Sequence, residues 1–195
     1  TNSRLSLVSA GAGMGKTGIM SMLVRTRPDT VIAHHFCRHD DSRKRDPKNV
    51  LCSIAYQLAE KIPEYEQKLK ELGLTNASLN DLNVNGLFEK ILRAPLADIE
   101  RPEELKSIRQ IILIDALDEC QHDNKNGLLD CIRDHFLELP EWLGFFLTTR
   151  PEVNIVKKLR KFQPEPLIAD PEENMKDMKL YIGDNLKGCM DPEEL

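Results

Sequence analysis

Short, mostly apolar runs alternate along the chain with stretches whose apolar residues return every three or four positions, the signature of strands alternating with amphipathic helices. Residues 5–10 form a compact apolar-rich run with the character of a buried strand. Beyond Thr17, Ile19, Met20 and Leu23 recur at helical spacing until Pro28 ends the pattern. Residues 30–36 are β-branched and aromatic enough for a second strand, and a charged loop follows to about Lys48. Val50, Leu51, Ile54, Ala55, Leu58 and Ile62 make one helical stripe, which Tyr65, Leu69 and Leu72 continue past Pro63 as a second helix stopping at Gly73. Residues 76–85, rich in Asn, Ser and Asp, read as a loop; Leu87, Phe88, Ile91 and Leu92 then mark a helix ending near Pro95. The charged stretch 97–109 reads as a surface connection.

The second half repeats the alternation. Residues 110–115 place four continuous apolar residues before a carboxylate, as expected for a strand covered on both faces. Leu128, Leu129, Ile132 and Phe136 give a crossover helix that stops near Pro140, and residues 142–149 rebuild a strand. Val153, Val156 and Leu159 predict a short helix, residues 166–169 a weak fifth strand, and Met175, Met178, Ile182 and Leu186 a last amphipathic helix. Five strands alternating with helices predict an α/β domain with a mainly parallel sheet, whose ligands collect at the carboxyl ends of the strands.

Composition narrows the class. A chain of 195 residues suits one domain with a sizeable core, and no apolar run is long enough to span a membrane. The net charge of −5 gives no general attraction to nucleic acid, and the basic run Arg43-Lys44-Arg45 is flanked by Asp40, Asp41 and Asp46. The expected partners therefore include neither nucleic acid nor membrane. Five cysteines, odd in number and without C-x-x-C spacing, fit a reducing, cytoplasmic setting better than a disulfide framework. His34, His35, Cys37 and His39 raise a zinc alternative, but no second cluster completes it, and a strand with satisfied polar groups is the preferred reading. The chain starts at Thr1 without a signal-like segment and reads as a piece excised from a larger multidomain protein.

The first chemistry lies between the first strand and the first helix. Ala10-Gly11-Ala12-Gly13-Met14-Gly15-Lys16-Thr17, followed by Gly18, matches the phosphate-binding loop G-x-x-x-x-G-K-[ST], with Ala10 at the first glycine. Such a loop turns backbone N–H groups toward phosphate oxygens, and the following helix adds its N-terminal dipole. Lys16 is the residue to reach the β and γ phosphates, and Thr17 the residue to ligate Mg2+. The second chemistry ends the strand at 110–115: Asp115 is placed to complete the magnesium site with Thr17. Glu119 is placed to orient or deprotonate the attacking water, and Asp118 to support its acidic neighbour or the metal shell. Arg150, just past the strand at 142–149, either senses the γ phosphate or is a surface residue before a proline turn.

On residues 10–17, on Ile112-Leu113-Ile114-Asp115-Ala116-Leu117-Asp118-Glu119-Cys120 and on Leu147-Thr148-Thr149-Arg150-Pro151, the chain resembles a NACHT-type nucleoside triphosphatase of the STAND signalling group. Ala33-His34-His35-Phe36-Cys37 also resembles the second strand of NACHT proteins that carry ankyrin or similar repeats. The resemblance implies a three-layer P-loop NTPase core over residues 1–195, with strand order 5-1-4-3-2. It implies phosphate and metal binding by Lys16, Thr17 and Asp115, hydrolytic support from Glu119, and the sensor role for Arg150. Family members bind ATP or ADP and switch between a closed resting form and an open form that self-assembles, and the full protein is expected to carry effector or repeat domains; the sequence stops before the family's helical and winged-helix clamp, and without the assembly surfaces the isolated piece is expected to be a monomer.

The expected function is thus a magnesium-dependent ATP/ADP switch with slow hydrolysis that regulates assembly in signalling of the innate-immune kind. The alternative is a nucleotide-dependent scaffold without appreciable turnover. Guanine specificity is disfavoured, because Asn124-Lys125-Asn126-Gly127 lacks the acid of N-K-x-D. A small-molecule phosphotransferase would need an Arg-rich lid that the sequence does not show.

Overall fold

In the computed structural model, residues 4–102, 109–121, 126–163 and 165–166 are described. Four apolar runs become parallel strands: β1 (Leu5–Ser9), β2 (Val31–Phe36), β3 (Gln110–Asp115) and β4 (Leu143–Thr149). Their order across the sheet is 1-4-3-2, with Leu7 beside Leu147, Ile112 beside Phe145 and His35 beside Ile114. This is the expected order for those four strands. Glu165 pairs with Val8 and Pro166 with Ser9, in parallel, on the side of β1 away from β4, where the fifth strand was expected. The rest of that strand, and the helix expected through Met175, Met178, Ile182 and Leu186, lie outside the described residues.

Alternation along the strands feeds two cores. Leu5, Leu7, Ile32, Ile112, Ile114, Phe145 and Leu147 face one way, into a cluster with Val50, Leu51, Ile54 and Leu58 of α3 (Pro47–Lys61) and with Leu128 and Ile132 of α8 (Gly127–His135). Leu113 and Val31 face the other way and meet Met20 of α1 (Lys16–Thr26). A parallel sheet buried on both faces requires apolar residues at consecutive positions, which is why β3 reads as an unbroken run. The large cluster closes over stacked Phe88 and Phe136, 5.5 Å between ring centres, with Phe145 5.1 Å from Phe136.

Several local expectations are corrected. The charged loop after β2 contains a helical turn, α2 (Ser42–Arg45), because the Asp41 carboxylate accepts from the N–H groups of Arg43 and Lys44. After α4 (Pro63–Glu71), the polar stretch read as a loop contains α5 (Asn76–Asn80), started by a reciprocal capping box between Thr75 and Ser78. The next helix begins earlier than expected and continues through Pro95: α6 (Val84–Phe88) passes into a π-helical turn, Glu89–Arg93, and then α7 (Ala94–Leu96). Proline cannot donate to the carbonyl four residues back, and the Ile91 carbonyl instead accepts from the buried Tyr65 hydroxyl. The connection read as surface is partly buried, since Ile99 packs in the core and its carbonyl accepts from the Trp142 indole at 3.3 Å.

Candidate functional site

The carboxyl ends of β1, β3 and β4 converge on one cavity of about 340 Å³. Ala12, Gly13, Met14, Gly15, Lys16, Thr17 and Gly18 line one side, and Ala116, Asp118, Glu119 and Arg150 the other. The loop takes its shape from Gly13 and Gly15, whose φ values of +77° and +74° lie in the left-handed region. A side chain at either position would meet open space, so the demand for glycine is conformational rather than steric. Ala10 occupies the first-glycine position without penalty: it is buried, and its N–H continues the sheet ladder to the Thr149 carbonyl at 3.1 Å. Ala10 and Gly11 stand behind the cavity, where their carbonyls accept from the Lys16 ammonium at 2.7 and 2.8 Å.

Gly15 precedes α1, which has no side-chain cap and no acidic residue in its first turn. Its leading N–H groups and positive dipole end therefore face the cavity without a competing carboxylate, a setting suited to an anion.

Asp115 ends β3 and is 2% exposed. One carboxylate oxygen accepts from the Thr17 hydroxyl at 2.6 Å, the other from the Thr148 hydroxyl at 2.5 Å. Thr148 also accepts from the Ala116 N–H at 3.0 Å, so one β4 hydroxyl ties the acid to the turn that follows it. Among the described residues no cationic side chain pairs with Asp115. A buried carboxylate next to two hydroxyls and without a counter-charge fits a hard divalent cation, which this oxygen set would hold.

Ala116 turns the chain sharply, with φ 54° and ψ 51°, and throws Asp118 and Glu119 back over the strand tips on a short 3-10 turn, Leu117–Glu119. Arg150 meets both acids. Its N–H donates to Asp118 at 2.8 Å, its guanidinium lies 3.2 Å from the other Asp118 oxygen, and Nη2 donates to Glu119 Oε1 at 2.9 Å. Arg150 is 48% exposed, so it stands at the rim of the cavity, held there by both acids. His39, from the loop after β2, approaches Glu119 Oε2 with its backbone N–H at 3.1 Å.

Of this lining, the sequence reading made every residue a site candidate except Ala116, which it took only as a small residue within the acidic motif; it missed Thr148 and the contact of His39. Thr148 carried one usable signal, a polar residue that with Thr149 closes an otherwise apolar run. Cys37 and Cys120 are both buried free thiols, and hydrogen bonding to Cys120 together with burial raises the Cys37 thiol far above its ordinary range.

Residues 1–150 match the family model described as Nephrocystin 3, N-terminal. The chain belongs to the nephrocystin 3 N-terminal family. Among solved structures, this nephrocystin 3 N-terminal chain is similar to the Walker-type ATPase PabY2304 of Pyrococcus abyssi, at 13% identity and a TM-score of 0.53. The match covers 99% of this chain and 56% of that one, so the chain spans little more than half the neighbour's length, and the likeness is one of fold. No curated protein matches the chain in sequence. Among the described residues, no helix is long and apolar enough to cross a membrane.

Proposed function

We propose that this chain is a magnesium-dependent ATP/ADP-binding switch domain of the NACHT and STAND type, with slow ATP hydrolysis that regulates assembly of a larger signalling protein. The observation that carries this reading is the convergence of the Lys16 loop, the Thr17–Asp115 pair and the Asp118–Glu119–Arg150 cluster on one cavity. The Walker-type fold and the strand order 1-4-3-2 support it.

Each residue has a task in that reading. The N–H groups of residues 11–18 and the Lys16 ammonium hold the phosphate chain. Lys16, which donates to two carbonyls of its own loop, exchanges these acceptors for phosphate oxygens. Thr17 and Asp115 would hold magnesium, which would supply positive charge to offset that of the phosphates. Glu119 orients the water and accepts its proton; Asp118 holds the Arg150 backbone and guanidinium in place. Arg150 turns from Glu119 to the γ phosphate and stabilises the charge that develops there. The complete core has five strands, 5-1-4-3-2, and forms a single domain over residues 1–195. We place it in the cytoplasm, on its free thiols Cys37, Cys52, Cys120 and Cys131, as a monomer that assembles through other domains of the full protein.

Equilibrium binding of labelled ATP, ADP and GTP, with and without magnesium, tests the reading on the wild type and on Lys16→Ala. Adenine nucleotide binding that needs magnesium and is lost in Lys16→Ala is the expected result. Equal binding by both proteins would refute the assignment of the loop. Binding with no phosphate release, unchanged in Glu119→Gln, would make the domain a nucleotide-dependent scaffold.

A further inference from the structure

The loop after β2 reaches Glu119 from outside the cavity. Cys37 extends the sheet by one bond, its N–H donating to the Asp115 carbonyl at 3.1 Å, and the chain then turns through Arg38, His39 and Asp40 before Asp41 caps α2. The turn is held on both sides of His39: Arg38 pairs with Asp40 at 2.6 Å, and Arg45 donates to the His39 carbonyl at 3.3 Å. His39 thereby offers two donors to one oxygen, its N–H at 3.1 Å and its ring Nδ1 at 3.3 Å from Glu119 Oε2. A carboxylate only accepts, so Nδ1 carries the ring proton in this contact. Arg150 takes the opposite oxygen, Oε1.

We infer that His39 is a positioning residue for Glu119, a role that rests on the hydrolytic reading given above. The two clamps differ in what happens to them when substrate binds. Arg150 lines the cavity and is drawn to the γ phosphate, which frees Oε1. His39 does not line the cavity, and its hold on Oε2 persists. One oxygen stays fixed while the other is released toward the water, and the plane of the carboxylate is preserved at the moment its geometry matters. In the step itself the water oxygen bonds to the γ phosphorus, the bond from that phosphorus to the bridging oxygen breaks, and the water proton passes to Oε1. Without the ring, Glu119 keeps one backbone donor and gains rotational freedom, and small losses of alignment are costly at a general base.

The His39 side chain is 72% exposed, so its replacement leaves the fold intact. The test uses the 195-residue chain. Steady-state phosphate release and ATP binding are compared for wild type, His39→Ala and His39→Asn, the last retaining a side-chain N–H donor. The expected result is a kcat about tenfold lower in His39→Ala, with ATP affinity and KM unchanged, and recovery of most of the loss in His39→Asn. Nitrogen-15 NMR of the ring should show the Nδ1-protonated tautomer in the wild type and its loss in Glu119→Ala. Turnover unchanged or raised in His39→Ala, or no rescue by His39→Asn, would overturn the role while leaving the hydrolytic reading in place. Bound ATP without wild-type turnover would overturn both.

Discussion

Thr148→Val isolates the structural part of the site, because valine keeps the shape of threonine and removes only the hydroxyl. That hydroxyl is buried and serves two partners, donating to Asp115 and accepting from Ala116. Its loss leaves a buried carboxylate oxygen without a donor, worth about 1.5–3 kcal/mol, and a backbone N–H without an acceptor, worth about 1 kcal/mol. The added methyl group recovers part of this, so the net destabilisation is about 3 kcal/mol. With a urea slope of about 2 kcal/mol/M, the midpoint should fall by about 1.5 M. Thr149→Val is the internal comparison: Thr149 is equally buried but its hydroxyl bonds only the adjacent Arg150 carbonyl, at 3.1 Å, and its loss should cost about 1 kcal/mol. Urea unfolding followed by far-UV circular dichroism, without nucleotide, reads both. Equal midpoint shifts, or a Thr148→Val shift under about 0.25 M, would refute the claim that this hydroxyl anchors Asp115.

Tyr65→Phe removes the donor that replaces the missing proline N–H at the Ile91 carbonyl, and should cost about 1–2 kcal/mol in the same urea assay, concentrated on hydrogen exchange of residues 84–96. Ala116→Gly relieves about 1–2 kcal/mol of left-handed strain against about 0.5–1 kcal/mol of added chain entropy; the melting temperature should hold or rise by a few degrees, and a fall would show the turn to be unstrained. His34 and His35 are both held below their ordinary value near 6.5, chiefly by burial, with His35 also donating from Nε2 to the Lys44 carbonyl. The native state binds fewer protons than the unfolded chain in that window, so their contribution is fully present above pH about 6.5 and lost as pH falls toward the folded values. Stability measured between pH 7.5 and about 5 should decline, and the decline should be shallower in His35→Gln.

Much of the fold lies in plain view along the chain. The run before Asp115 is apolar at four consecutive positions because both faces of β3 are covered, and the stripe from Val50 to Ile62 is apolar on one side because α3 covers one face. The misreadings had two causes. Asp41 and the Thr75–Ser78 pair start short helices through caps, which composition alone renders as loop; Pro95 reads as a stop for want of an N–H, but the helix runs through it because the Ile91 carbonyl accepts from Tyr65, far away in sequence.

The chemistry was legible in the same uneven way. Residues 10–18 carry their own geometry, since glycine at positions 13 and 15 permits the positive φ that the loop needs; that information is local, and the sequence alone determined it. The acid pair after β3 was equally visible as residue types. Which groups meet was decided only in three dimensions. Thr17 bonds an acid 98 positions away, and Arg150 and His39 reach Glu119 across separations of 31 and 80 residues. Those contacts exist because β1, β4, β3 and β2 lie side by side in parallel and end at one edge, so that loops remote in sequence open onto a shared cavity. Spacing along a chain does not encode which strand lies next to which; the pairing of strands and the burial of their faces do.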